Sequence, residues 1–223
     1  RYRRPWSARE VPNPTQDYGR CNIPGPGQLC DPDAYLSEKG RKDGLNALMA
    51  IRQKTNATCP DGQVRGYQVA VVILSRMERD DADVAATARR FASTLGDTWG
   101  VGDEGCNNGI VLLLSIEDRY AFIKTTDFSR KALSDSDATH IIDNMKPLLR
   151  DHDYDRAVLQ GALQIYDVLM GVGLPARGEG STTWVWALFA LVIIPVVLCH
   201  LSPQLFVCIL FGAIIGILVP LSA

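Results

Sequence analysis

Two rhythms of apolar residues run through the first three quarters of this chain, and a third, unbroken one closes it. Residues 67–74 and 109–115 are apolar on both faces, the pattern of central strands in a sheet covered on each side. Residues 119–124 are predicted to pair with the second of these across a tight turn at Glu117 and Asp118. Helical spacing governs most of the remainder. Ser37 is the predicted N-cap of a helix that carries Leu45, Leu48 and Met49 and runs up to Lys54, with Gly40 and Gly44 weakening its middle. Asp83 is predicted to cap a second helix through Ala88, Phe91, Ala92 and Leu95; two more run from Asp135 to about Arg150 and from Tyr154 to Met170. Strand, helix, strand, hairpin, helix and helix predict an α/β fold in which helices sandwich a mixed β-sheet.

The third rhythm is the tail. Residues 181–223 contain no Asp, Glu, Lys or Arg, and a helix needs only about 20 apolar residues to cross roughly 30 Å of hydrocarbon. Trp184 and Trp186 open this run with rings favoured at headgroup depth, so they are the expected membrane-interface residues. Near Pro203 the run weakens, because the ring removes a backbone donor and disfavours helix at Ser202. A hairpin of two helices and one long, kinked and tilted helix both fit. The expected organisation is therefore an extended N-terminal segment at 1–32, an extracellular α/β domain at 33–172, a linker at 173–182 and the membrane segment at 183–222.

Residues 11–32 are rich in Pro, Gly and Asn, which predicts irregular backbone tied down by something other than a ladder. Cys21 and Cys30 supply that tie. Cys59 and Cys106 each precede a predicted strand; a right-handed crossover makes those strands parallel, so both cysteines fall at the same sheet end. Of the three pairings open to these cysteines, Cys21–Cys30 with Cys59–Cys106 is the expected one. An even set of cysteines suits an oxidising compartment, and Asn56, Ala57 and Thr58 form a glycosylation sequon that is an acceptor only there. The chain starts at Arg1 without Met, which reads as a secretory leader already removed.

Charge narrows the partners further. A net charge of −2 gives no concentrated basic face for a nucleic acid; Arg1, Arg3 and Arg4 read as a solvated end. Gly100, Gly102 and Gly105 match a dinucleotide fingerprint, but they follow a helix and precede a strand, the reverse of what pyrophosphate binding requires. His140 and His152 lack a second ligand at metal spacing. Acidic clusters are the remaining candidate chemistry. Asp33 together with Asp103, Asn107 and Asn108 is the expected place for Ca²⁺, a hard cation that takes six to eight oxygens. Nothing in the sequence pairs a nucleophile with a base.

Trp99, Gly100, Val101 and Gly102, then Asn107, Asn108 and Gly109 opening an apolar strand, then Asp118 and Arg119, together resemble the central signature of the TPM domain family. Asp33, Leu36 and Ser37 before the first helix and residues 154–157 at the last are similar to that family in the same order, so the resemblance spans roughly residues 10–175. The paired cysteines, the stretch 11–14 and the turn 29–32 resemble the animal branch represented by the modulator of levamisole receptor. That resemblance implies an auxiliary subunit at a synaptic or muscle surface, acting on a nicotinic acetylcholine receptor, a pentameric ligand-gated channel, from a bilayer anchor. The family's plant members imply the alternative, a membrane-tethered phosphatase dependent on a divalent cation.

Overall fold

A computed structural model of the chain describes residues 4–79 and 83–175. The expected membrane segment at 183–222, with Trp184 and Trp186, lies outside them. Among the described residues no helix is long and apolar enough to cross a membrane.

In chain order the elements are β1 (Leu29–Cys30), α1 (Glu38–Lys54), β2 (Ala57–Thr58), β3 (Val64–Arg65), β4 (Gln68–Leu74), α2 (Val84–Trp99), β5 (Gly109–Ser115), β6 (Tyr120–Thr125), α3 (Asp135–Arg150) and α4 (Tyr154–Leu169). The main sheet has the order β1-β4-β5-β6, with β1, β4 and β5 parallel and β6 antiparallel. Leu29, Val71, Leu112 and Ile123 stand in register across it. Helix α2 packs on one face, against β5 and β6, while α1, α4 and α3 lie side by side on the other. The mixed, helix-sandwiched sheet is thus the expected one. Burial explains the continuous apolar runs: every residue of β5 is buried, as are all of β4 except Gln68.

Local chemistry sets the boundaries. Ser37 accepts from the Gly40 N–H at 3.0 Å and caps α1. At its other end the Thr55 hydroxyl donates to the Ile51 carbonyl and accepts from the Tyr67 N–H at 3.0 Å, so Tyr67 serves the helix end and the strand begins one residue later than expected. Strand β6 also begins one residue late, at Tyr120, because Arg119 stands at φ 53 and belongs to the turn. Asp83 caps α2, and Ser134 with Asp137 forms a reciprocal capping box on α3.

Both expected disulfides form, Cys21–Cys30 and Cys59–Cys106. The N-terminal segment is not wholly irregular. It contributes β1 to the sheet, Val11, Cys21 and Ile23 to the core, and Trp6 to a parallel bridge with Met77. The small hairpin of β2 and β3 was not legible from periodicity; its strands are two residues each.

Gly40 and Gly44 turn out to be contact points. A Cβ on Gly40 would lie 2.0 Å from Asp155 Oδ1, and one on Gly44 would lie 2.8 Å from Leu29 Cδ1. Both glycines let α4 and β1 close against α1.

Candidate functional site

The expected Ca²⁺ constellation does not assemble. Asp33 follows β1, which runs parallel to β4, so it lies at the carboxyl end of the sheet, where it accepts from the Ser75 N–H at 2.7 Å. Asn107 and Asn108 precede β5 and therefore lie with Asp103 at the amino end. Seven strand residues at about 3.3 Å each separate the two sites by roughly 20 Å. Among the described residues no group of three or more His, Cys, Asp or Glu is placed to hold a metal ion.

At the amino end these residues hold backbone. Asn108 is fully buried; its Oδ1 accepts from the Asp103 N–H and its Nδ2 donates to the Gly66 carbonyl, each at 2.8 Å. The Asn107 carbonyl accepts from the Thr126 hydroxyl, and Asn107 itself sits at φ 52, a region that Asn tolerates well. Asp103 accepts from the Gly105 N–H and lies 3.3 Å from Arg65, which also meets Asp61 at 2.7 Å. The Gln63 N–H and then Arg65 hold the Asp61 carboxyl below its ordinary value. Gly109 is required here, since a Cβ on it would stand 2.0 Å from the Val101 carbonyl oxygen. Cys59–Cys106 staples the β2–β3 hairpin to this loop. Asn56, the sequon residue, is exposed just after α1.

The carboxyl end gathers more unusual groups. Asp31 is fully buried and accepts from the N–H groups of Tyr35 and Leu36 at 2.8 and 2.9 Å, with Arg41 at 3.3 Å. Burial pushes its carboxyl above the usual value, against the lowering pull of those N–H groups and of Arg41. Asp33 also accepts from the indole of Trp6 at 2.9 Å, which fastens the N-terminal segment. Asp118, 3% exposed, accepts from the Met77 N–H, the Ser115 hydroxyl and Arg79 at 2.9, 2.6 and 3.1 Å. Asp155 accepts from the Ser37 N–H and hydroxyl at 2.9 and 2.5 Å, which clasps the start of α4 to the start of α1. Each of these carboxylates accepts from at least two donors and ties stretches of chain together.

Two recesses open beside this frame. The smaller, about 390 Å³, is lined by Ser37, Asp151, Asp153 and Asp155 among others. Arg156 holds the Asp153 carboxyl below its ordinary value. The larger, about 640 Å³, lies between the β5–β6 hairpin and the end of α3. Its apolar lining is Leu114, Ile116, Ala121, Ile142 and Leu149; its polar lining includes Arg119, Lys146, Arg150 and Tyr120. His152 and Tyr154, 2.7 Å apart through Nδ1 and the hydroxyl, stand between the two recesses and line both. The expected site residues include none of this groove. Asp118 and Arg119 belong to the recognised signature, but no spacing in the sequence links them to the end of α3.

The family described as modulator of levamisole receptor-1 matches residues 6–119, which run from Trp6 through both disulfides to the β5–β6 turn. No curated protein matches the chain. Among solved structures, the N-terminal domain of a protein from P. gingivalis is similar at 25% identity with a TM-score of 0.56, over 76% of this chain and 94% of that one. The N-terminal domain of a Corynebacterium glutamicum protein aligns at 14% identity and a TM-score of 0.43, over 68% of this chain and 85% of that one.

Proposed function

The chain belongs to the modulator of levamisole receptor-1 family, and from that premise we propose that it is an auxiliary protein of a levamisole-type acetylcholine receptor. In this reading the α/β domain lies outside the cell, against a pentameric ligand-gated channel, and the apolar run at 183–222 anchors it in the same bilayer. The family match carries the reading. The site geometry supports it: the family-signature groups Asp118, Asn108 and Gly109 are engaged in holding the fold, as are Ser37 and Asp155. A domain whose acidic groups serve as internal clasps presents a rigid surface, and rigid surfaces are suited to docking because little order must be gained on binding.

The two disulfides and the exposed Asn56 sequon support an extracellular setting. A membrane anchor would raise the effective concentration of the domain beside its channel, so a weak interface would suffice. The test is affinity purification of the full chain from native membranes in mild detergent. Acetylcholine-receptor subunits should co-purify; recovery of the chain with no channel subunit would remove the proposal.

A further inference from the structure

We propose that the groove between the β5–β6 hairpin and the end of α3 binds an anionic amphiphile, a phosphate or carboxylate head carried on an apolar chain. At about 640 Å³ it falls within the roughly 300–1,000 Å³ of small-molecule pockets. Its lining divides into an apolar side, Leu114, Ile116, Ala121, Ile142 and Leu149, and a cationic rim, Arg119, Lys146 and Arg150. No acidic residue lines it. Of the acidic residues that flank the lining in sequence, Asp151 lines the smaller recess and three others pair with arginines outside the groove. Glu117 meets Arg76 at 2.8 Å, Asp118 meets Arg79 at 3.1 Å, and Asp153 meets Arg156 at 2.5 Å. Asp143 lies 2.7 Å from Lys146. Arg119 and Arg150 have no ion-pair partner among the described residues.

Ordinary surface electrostatics explains part of this rim. Lys146 belongs to an i,i+3 pair, and Arg150 in the last turn of α3 complements the negative end of the helix. Arg119 has no such reason to be there. It stands at φ 53 in the hairpin turn, a left-handed position where Gly or Asn is the ordinary occupant. His152, at φ 58 just past α3, holds the opposite wall in the same conformation, at the place where helices usually end in Gly. Both walls are thus turned by a left-handed residue that puts a long or ring-bearing polar side chain into the lining. Backbone strain retained at one recess is a pointer to function. Burial pushes the Tyr154 hydroxyl above its ordinary value, and it lies 2.7 Å from His152 Nδ1.

The head of such a ligand would meet Arg119 and Arg150, and its chain would lie along Leu114, Ile142 and Leu149. Because bonds to a charged group are the strong ones, losing either arginine should cost about tenfold or more in affinity. The test uses the full chain in nanodiscs of zwitterionic lipid, titrated calorimetrically with octyl phosphate, inorganic phosphate and octyltrimethylammonium. Octyl phosphate should bind saturably, inorganic phosphate far more weakly, and the cationic amphiphile no better than to empty nanodiscs. Arg119→Gln and Arg150→Gln should each weaken octyl phosphate about tenfold, while Arg156→Gln, outside the groove, should not.

Arg119→Gly guards against a folding artefact, since it removes the cation while relieving the left-handed backbone. Its melting temperature should be no lower than the parent's and its binding should still fall. Equal binding of the cationic amphiphile, or unchanged affinity in the arginine variants, would overturn the proposal. A second series replaces part of the nanodisc lipid with phosphatidate. Competition with octyl phosphate would assign the ligand to a membrane lipid headgroup, and its absence to a free amphiphile.

Discussion

A glycine in the first turn of α1 and one in the last turn of α2 should respond in opposite directions to the same substitution. Gly→Ala in a helix interior ordinarily stabilises by up to about 1 kcal/mol, because it reduces backbone freedom in the unfolded chain. Gly96 in α2 should behave so, since a Cβ there would meet only Val111 Cγ2, at 3.6 Å, an ordinary contact. Gly40 in α1 should not. Its Cβ would lie 2.0 Å from Asp155 Oδ1 and 2.3 Å from Cγ, so the carboxylate must leave its place. With it go the bonds from the Ser37 N–H and hydroxyl, about 1 kcal/mol apiece at a solvent-accessible site. Separating α1 from α4 adds overpacking of about 1–3 kcal/mol. Less the propensity gain, Gly40→Ala should destabilise by about 2–4 kcal/mol, a melting-temperature fall of roughly 5–15 °C in a domain this size. Gly96→Ala should raise it by a degree or more. Thermal unfolding of the full chain in non-ionic detergent, followed by near-ultraviolet circular dichroism, reads both. If the two variants shift in the same direction, the packing argument fails.

Three further outcomes follow from the same geometry. Replacing Cys59 and Cys106 together with Ser should cost about 4 kcal/mol and replacing Cys21 and Cys30 about 3 kcal/mol by loop entropy, because the sequence separations are 47 and 9; guanidinium midpoints under non-reducing conditions check the order. Expressed through a secretory pathway, the chain should lose mass on glycosidase treatment, and Asn56→Gln should abolish that loss. Asp61 and Asp153 are held below the ordinary 3.8, so they stabilise the fold above that pH, and the contribution disappears as pH falls through their lowered values. Asp31, pushed above 3.8 by burial, has the opposite sign: it favours the fold below that pH and loses this contribution as pH rises through its raised value. Melting temperature measured across the acid range should therefore be less steep in Asp61→Asn and Asp153→Asn than in the parent.

The architecture was legible wherever one local rule decided it. Fully apolar runs marked β4 and β5 because both faces of these strands are covered, and Ser37 and Asp83 marked helix starts because caps act within one turn. Pairing Cys59 with Cys106 needed only the parallel order of the two strands. The candidate site was not legible, because it depends on contacts between residues far apart in the chain. Asp33 and Asp103 look alike as loop acids, yet β1 carries one to the carboxyl end while β5 begins beside the other. Gly40 looks like a helix defect until Asp155, 115 residues later, occupies the space beside it. Arg119 carries no sequence mark of its left-handed backbone, since only Gly or Asn would have announced one. The β2–β3 hairpin escaped because strands of two residues have no period to read.

Levamisole-evoked currents recorded from one receptor under three conditions test the proposed role most directly. These are the receptor alone, the receptor with the full chain, and the receptor with a chain cut after Pro175. A partner changes gating only if it binds one receptor state better than another, and about 1.4 kcal/mol of preference shifts the ratio tenfold. The full chain should change the current at matched surface levels of receptor. The cut chain should act weakly, because it lacks the effective concentration that an anchor supplies. Currents identical with and without the full chain, at equal receptor surface expression, would contradict the role of receptor auxiliary protein.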